Sequence, residues 1–334
     1  MATYKGIQGY SVQKLSTDPT DSESVGQLWY NSTSGAFKIS TEGAGAWATG
    51  GNYPANLGEF GAAGTQTAGL GFGGGPGSVN TCAEYDGTSW TLGGVLGTGR
   101  YANGGCGTQT SGLSISGYTT VAGDVVGNVE EYNGTAWTEV NNITLAGYDM
   151  LGVGTQTAAI ATCARWSPYP TMKTDNYEYD GTSWSAGGAI PANRAAGGGT
   201  GTQTAANVFA GFSTIPYGGF YNTPIHYDGS SWTVGTGTIN QVRMLCGASG
   251  TQTAALMFGG LKIGPNVYLD NTETYNGTAW TEIGNLTTAR TTMGSPAGTN
   301  TTALAFAGGP APVVGNATEE YNDPVYSIKT VTVS

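Results

Sequence analysis

Charge and histidine are scarce in this chain of 334 residues. Only 10% of positions are charged, acids outnumber bases 22 to 11, and His226 is the only histidine. The net charge of −11 comes with no basic stripe, which argues against a nucleic-acid binder. A lone histidine confines Ser–His–Asp, Cys–His and histidine-rich metal chemistry to one residue. The four cysteines, Cys82, Cys106, Cys163 and Cys246, lack metal-type spacing, and a chain this long needs no disulfide framework. They read as buried free thiols, so no metal and no cofactor is expected. No apolar run approaches the roughly 20 residues of a membrane span. Met1–Gly6 lacks the apolar core of a secretory signal. No apolar period of 3.6 residues persists, so helices are not expected.

What is plentiful is glycine, with 58 residues, far above the usual level of roughly 7%. The glycines recur at a fixed period together with Trp, Tyr and Phe, which points to tight turns between short strands. Gly-Thr-Gln-Thr begins at Gly64, Gly107, Gly154, Gly201 and Gly250, and returns as Gly298-Thr299-Asn300-Thr301. A second marker lies between these: Tyr-(Asp/Asn)-Gly-(Thr/Ser)-(Ser/Ala)-Trp at Tyr85–Trp90, Tyr132–Trp137, Tyr179–Trp184, Tyr227–Trp232 and Tyr275–Trp280. A truncated copy stands at Tyr321. The unit is thus about 47 residues long.

One unit shows the strand pattern. Arg243–Ala248 reads as a first strand, a, and Gly250–Thr253 as a polar turn. Ala254–Phe258 is a short apolar strand b that ends in Gly259-Gly260. Thr272–Tyr275 is strand c, Asn276–Ala279 a hairpin loop, and Trp280–Ile283 strand d. Four short strands per period, repeated radially, is how a propeller limits exposed sheet edges. The expectation is an all-β, six-bladed β-propeller over residues 46–323, with four antiparallel strands per blade.

Two segments compete to complete the sixth blade, which lacks its own tryptophan. Trp47-Ala48-Thr49-Gly50 precedes the first unit and supplies a d-like strand, the simpler arrangement; Val325–Val333 occupies the sequence slot of d. Residues 1–45 fall outside the period. Gly26–Ile39 reads as one hairpin after the loop-like Ser16–Glu23, either an arm that docks elsewhere or a cap on the closing blade. Residues 324–334 form a C-terminal strand.

The plan of a, b, Gly-Gly, c with Tyr and d with Trp resembles Kelch repeats. The double glycine is present at Gly73-Gly74, Gly259-Gly260 and Gly308-Gly309. The other units depart from it, with Ser116-Gly117, Cys163-Ala164 and Ala210-Gly211. The wording Gly-Thr-Gln-Thr-Ala with Tyr-Asn-Gly-Thr-Ala-Trp resembles propeller proteins of marine tailed bacteriophages, notably those of cyanobacteria. Gly26–Gly35 resembles a short module of phage tail and other virion proteins. The resemblance implies a virion structural protein, such as a tail fibre or capsid-decorating appendage.

The six units differ most in the segments between strands b and c. Unit three carries Trp166 and Tyr169, unit four Tyr217, Phe220 and Tyr221, and unit five Tyr268. One face bearing unlike, aromatic loops suits recognition, although repeats also drift most where loops are least constrained. Arg100, Arg194 and Arg243 lie seven residues before the turn glycine and Arg290 eight before. They form either a basic ring for a carboxylate, phosphate or acidic sugar, or structural arginines that bond loop carbonyls. Kelch-like repeats often carry arginine here, which weights the second account. Glu84, Glu131, Glu178 and Glu320 precede the repeat tyrosine and read as another structural position; His226 replaces them in unit four.

Enzymatic readings find little. A galactose-oxidase-like copper site needs several histidines. A sialidase-like Asp-box has different spacing from Asp86–Trp90, and paired carboxylates for glycoside cleavage are invisible to sequence alone. The expectation is a non-enzymatic virion protein used for adhesion or presentation. Its partners would be other virion proteins, reached through residues 1–45, the C-terminal strand, or both, and a host surface glycan or receptor. Homo-oligomerisation suits a fibre, but no residue pattern demands it. The rival readings are a secreted or cell-surface carbohydrate-binding propeller and a glycan-degrading enzyme.

Overall fold

The computed structural model describes residues 12–19, 26–42, 45–120, 124–166, 171–214, 218–262, 264, 267–291, 298–308, 315–323 and 326–331. Every regular element among them is a β-strand. The chain divides into two compact units, Ala46–Asn322 and a smaller one built from Met1–Gly45 with Asp323–Ser334.

The larger unit has a β-propeller-like, all-β architecture. The first repeat is a four-stranded antiparallel sheet of Gly61–Thr65, Ala68–Phe72, Cys82–Tyr85 and Trp90–Leu92, strands a to d. Repeats two to five give the same sheet, from Gly104–Thr108 to Trp280–Ile283. The sixth has Thr302–Phe306 and Thr318–Asn322, and its third strand is Ala46–Gly50. Trp47 lies directly opposite Tyr321 there, as each d-strand tryptophan lies opposite its repeat tyrosine. Val325–Val333 plays no such part: its described portion, Tyr326–Thr330, pairs with Ala36–Glu42 in the smaller unit.

Apolar side chains gather between sheets rather than within them. Among the described residues, six clusters lie one at each junction of successive repeats, and a seventh, smaller one joins repeats four and five. The last of these junctions joins the sixth repeat to the first, through Leu304 and Phe306 against Tyr53, Phe60 and Tyr85. The tryptophans reach back one repeat: Trp137 meets Phe72, Trp280 meets Phe209, Trp47 meets Phe258 and Trp90 meets Phe306, with ring centroids 4.5–4.8 Å apart. Each large aromatic buries about 150–250 Å², so a single sheet alone could not hide these rings.

Polar residues of the markers tie the same junctions. The turn glutamine spans backwards to two carbonyls of the preceding repeat. Gln156 Nε2 donates to Gly112 (3.0 Å) and Tyr132 (2.6 Å), and Gln109, Gln203 and Gln252 repeat the pattern. Tyr85, Tyr132, Tyr179 and Tyr227 each donate a hydroxyl to the glutamate before the preceding repeat's tyrosine. Where His226 replaces that glutamate, Tyr275 turns to the carbonyls of Thr236 and Gly277. These glutamates are therefore structural. The Asp or Asn of the second marker closes the c–d turn: Asp86 Oδ1 accepts the N–H groups of Thr88 and Ser89, both at 2.8 Å.

The observed strand a starts later than the residue types suggest. In repeat five it is Gly247–Gly250, and Arg243–Cys246 lies outside it. Leu245 has a φ of 55°, and Glu59, Ala102, Asp149 and Ala196 share that left-handed conformation at the equivalent position. Such a kink ends a strand. The turn itself is also tighter than expected, since Thr65 already pairs with Ala68. Its glycine is obligatory: at Gly154 φ is 116°, and a Cβ would sit 2.2 Å from the carbonyl oxygen of Ala158.

In the smaller unit, Leu28–Asn31 and Ala36–Glu42 form the expected hairpin. Gln13–Leu15 adds in parallel on one side and Tyr326–Thr330 antiparallel on the other. Trp29 is buried and donates to Asp18 Oδ1 at 2.9 Å, and Asn31 donates to the same oxygen at 2.6 Å. These bonds hold the Asp18 carboxyl below its ordinary range. The arm and the C-terminal strand are thus one sheet, not two separate elements.

Candidate functional site

The arginine ring is internal. Arg100, Arg194, Arg243 and Arg290 are all buried. Arg243 donates to the carbonyls of Gln241, Gly259 and Asn271 and pairs with Glu273 at 2.5 Å. Arg290 pairs likewise with Glu319, and Arg100 with Glu130. Repeats one and three lack both partners, with Leu57 and Ala83 in one and Gly147 and Tyr177 in the other. Repeat four keeps Arg194 but has Ile225 in place of the glutamate. Its guanidinium instead lies 4.1 Å over the Tyr221 ring and donates to the carbonyls of Val208 and Thr223. Donors spent in this way leave no fork for a ligand, so the four arginines are structural. Burial lowers the pKa of each.

The aromatic residues of the b–c segments fare differently from one another. Tyr221 is tied to Arg194 and donates to the Asn193 carbonyl at 3.0 Å. Phe220 packs at the edge of an apolar cluster with Phe212 and Met244. Tyr268 is half-buried in a two-stranded ribbon opposite Leu261. Trp166 sits in a short strand opposite Gly147, and its side chain lies outside the described residues, as do Tyr169 and Tyr217.

The first strands of repeats one to five lie side by side around the axis. A cavity of about 110 Å³ is lined by the turn glycines Gly64, Gly107, Gly154, Gly201, Gly250 and Gly298. The left-handed residues form a second axial feature. Ala102 N–H donates to the Glu59 carbonyl at 2.6 Å, Asp149 to Ala102 at 2.9 Å, Ala196 to Asp149 at 3.2 Å and Leu245 to Ala196 at 2.7 Å. This belt of backbone bonds carries two carboxyl groups, Glu59 of repeat one and Asp149 of repeat three, with Ala102 of repeat two between them.

Around the belt the repeats diverge at one paired position. The bridged pairs are Gly58 with Gly75, Tyr101 with Tyr118, Tyr148 with Arg165, Ala195 with Phe212 and Met244 with Leu261. Repeats four and five therefore present an apolar, packed rim. Repeats two and three present tyrosines, with ring centroids of Tyr101 and Tyr118 5.3 Å apart and of Tyr118 and Tyr148 6.0 Å apart. All three are half-buried. Arg165 stands 2.8 Å from the buried Asp149 carboxylate, and its guanidinium lies over Tyr148 and Phe212. Glu59, exposed, completes the group. Desolvation by the surrounding protein, with the Asp149 charge adding, lifts its carboxyl to about 7, while Arg165 opposes the shift. Burial raises the Asp149 carboxyl as well. The same carboxyls raise the Tyr101 hydroxyl, after desolvation.

Sequence reasoning missed this cluster. Its only signal was that Tyr101 and Tyr148 each stand six residues before a turn glycine, where the other repeats have Gly, Ala, Met or Thr. The four thiols are buried and free as expected, and burial pushes Cys82, Cys106 and Cys246 to about 12.

No family model matches the chain, and no curated protein matches it. Among solved structures, one described as "Structure of YjhT" superposes with a TM-score of 0.65 at 13% identity, covering 83% of this chain and 99% of that one. At that identity the likeness bears on fold alone.

Proposed function

We propose that this chain is a non-enzymatic virion protein of a tailed phage, in which a six-bladed, Kelch-like β-propeller is presented for adhesion to a host surface glycan. The reading of six blades draws on the six apolar junctions, the last of which joins Phe306 to Tyr53 and Phe60. The adhesion role draws on one observation above all: repeats that are otherwise near copies break their pattern at Tyr101, Tyr118, Tyr148 and Arg165, beside Glu59 and Asp149. Aromatic rings with an exposed polar tip are the residues most enriched in recognition surfaces. The small sheet made from both chain ends is the part proposed to attach to other virion proteins, because it uses none of the propeller's strands.

Mass spectrometry of purified virions tests the assignment. The peptides of this chain are expected in the particle at a fixed ratio to capsid or tail proteins, and added pure protein is expected to compete with adsorption to host cells. Their absence from particles would favour a secreted or cell-surface carbohydrate-binding propeller, which the same rim chemistry would serve.

A further inference from the structure

We propose that the rim of repeats one to three is the sugar site itself, with Tyr101 and Tyr118 as the stacking platform and the exposed Glu59 as hydroxyl acceptor for a neutral pyranose glycan. This inference rests on the adhesion reading and adds the ligand class and the residues.

Four observations carry it. The first is space. Repeat one has Gly58 and Gly75 where repeat two has Tyr101 and Tyr118, so no side chain stands at that position beside Tyr101. A Cβ built on Gly75 would come no nearer than 3.8 Å to the Tyr101 side chain, and one on Gly77 would meet nothing within 4 Å. The second is the platform. Tyr101 and Tyr118 are held by a backbone bridge on two sides, 3.0 and 2.9 Å, so their rings are preorganised rather than recruited. Their centroid spacing of 5.3 Å leaves no cage between them for a small cation, and both rings stay partly open to solvent.

The third is charge. Two carboxyl groups face one guanidinium, and all five arginines of the chain are buried. A phosphate or acidic sugar would be repelled here. A neutral polyol brings hydroxyl donors that carboxylates accept with charge assistance. The fourth is rigidity. Glu59, Ala102 and Asp149 are linked through the backbone belt, and Arg165 fixes Asp149 while it contacts Tyr148. The backbone that carries Glu59 is thus held by the fold.

The test uses the full chain on an array of neutral, amino and acidic glycans, followed by titration calorimetry with the best neutral binder. Wild type is expected to bind neutral pyranose glycans. Tyr101→Ala and Glu59→Gln are each expected to weaken binding by on the order of tenfold. Leu261→Met, on the apolar side of the rim, is expected to leave it within about twofold. Glu59→Gln keeps the side-chain shape and guards against a misfolded Tyr101→Ala. Unchanged affinity in both Tyr101→Ala and Glu59→Gln, or binding confined to amino or acidic glycans, would overturn the site. Loss of competition for host adsorption by the wild-type protein would instead overturn the adhesion reading. Adsorption that persists with no glycan bound would sink the sugar site alone.

Discussion

Replacing Glu273 by isoleucine would copy into repeat five what repeat four already has, and its cost can be worked from the contacts. Arg243 is fully buried and donates to three carbonyls besides Glu273. Glu273 in turn accepts the N–H groups of Asn240 (2.7 Å) and Gln241 (3.3 Å) and the Asn240 side-chain amide (3.0 Å). Removing one member of a buried pair leaves an uncompensated charge and costs about 3–5 kcal/mol. Repeat four tolerates Ile225 because the Tyr221 ring lies 4.1 Å beneath the Arg194 guanidinium. The position equivalent to Tyr221 in repeat five is Leu269, which is buried. A desolvated cation–π contact is worth about 2 kcal/mol. The double variant Leu269→Tyr, Glu273→Ile is therefore expected to be more stable than the sum of its singles by ~1–2 kcal/mol. Urea denaturation followed by tryptophan fluorescence measures all four corners of the cycle. A cost for Glu273→Ile below ~0.5 kcal/mol, or a coupling of zero, would refute the claim that these arginines are structural.

Three further outcomes follow from the same contacts. Gly154→Ala forces a methyl against the Ala158 carbonyl at positive φ and is expected to destabilise by about 1–3 kcal/mol, read in the same urea titration. Gln156→Ala frees the carbonyls of Gly112 and Tyr132 and is expected to cost about 1–3 kcal/mol, with hydrogen exchange rising at the junction of repeats two and three. Glu59 titrates near 7 in the folded chain, above its ordinary value. Between those two values the folded state holds the extra proton, so stability is greatest below the ordinary pKa and declines as pH rises through about 7. Because the side chain is exposed, solvent screening reduces the effect to ~1 kcal/mol. Glu59→Gln is expected to raise thermal stability at pH 8 and to leave it unchanged at pH 4; equal effects at both would contradict the shift.

Much of the fold was legible because each repeat spells its own turns. Asp86 and Gly154 announce tight turns by residue type, and the tryptophan count pointed to Trp47 as the strand that completes the sixth sheet. The start of strand a was not legible, because Ala102, Ala196 and Leu245 hold a left-handed conformation that nothing in their side chains requires. The belt bonds of the surrounding repeats impose it. The arginines were visible as a set, but their partners lie about 30 residues on, at Glu130, Glu273 and Glu319. Only pairing strand c with the loop before strand a reveals them. Likewise the join between Ala36–Glu42 and Tyr326–Thr330 links the two ends of the sequence, and no local pattern encodes it. The tyrosine rim is not legible in any single repeat, because it is a departure from the pattern assembled from three units and lies outside the longest variable loops.

The two ends of the larger unit, Ala46–Gly50 and Thr318–Asn322, meet as paired strands of one sheet. Ala46 and Asn322 stand directly opposite each other in the sixth sheet, and both are exposed. Opposed residues of antiparallel strands have Cα atoms about 4.5–5.5 Å apart, within reach of a disulfide. The variant Ala46→Cys, Asn322→Cys, oxidised in its folded state, is expected to form that intramolecular bond quantitatively and to resist urea better than its reduced form. Two free thiols after oxidation of the native protein, with the four buried cysteines still reduced, would contradict that pairing.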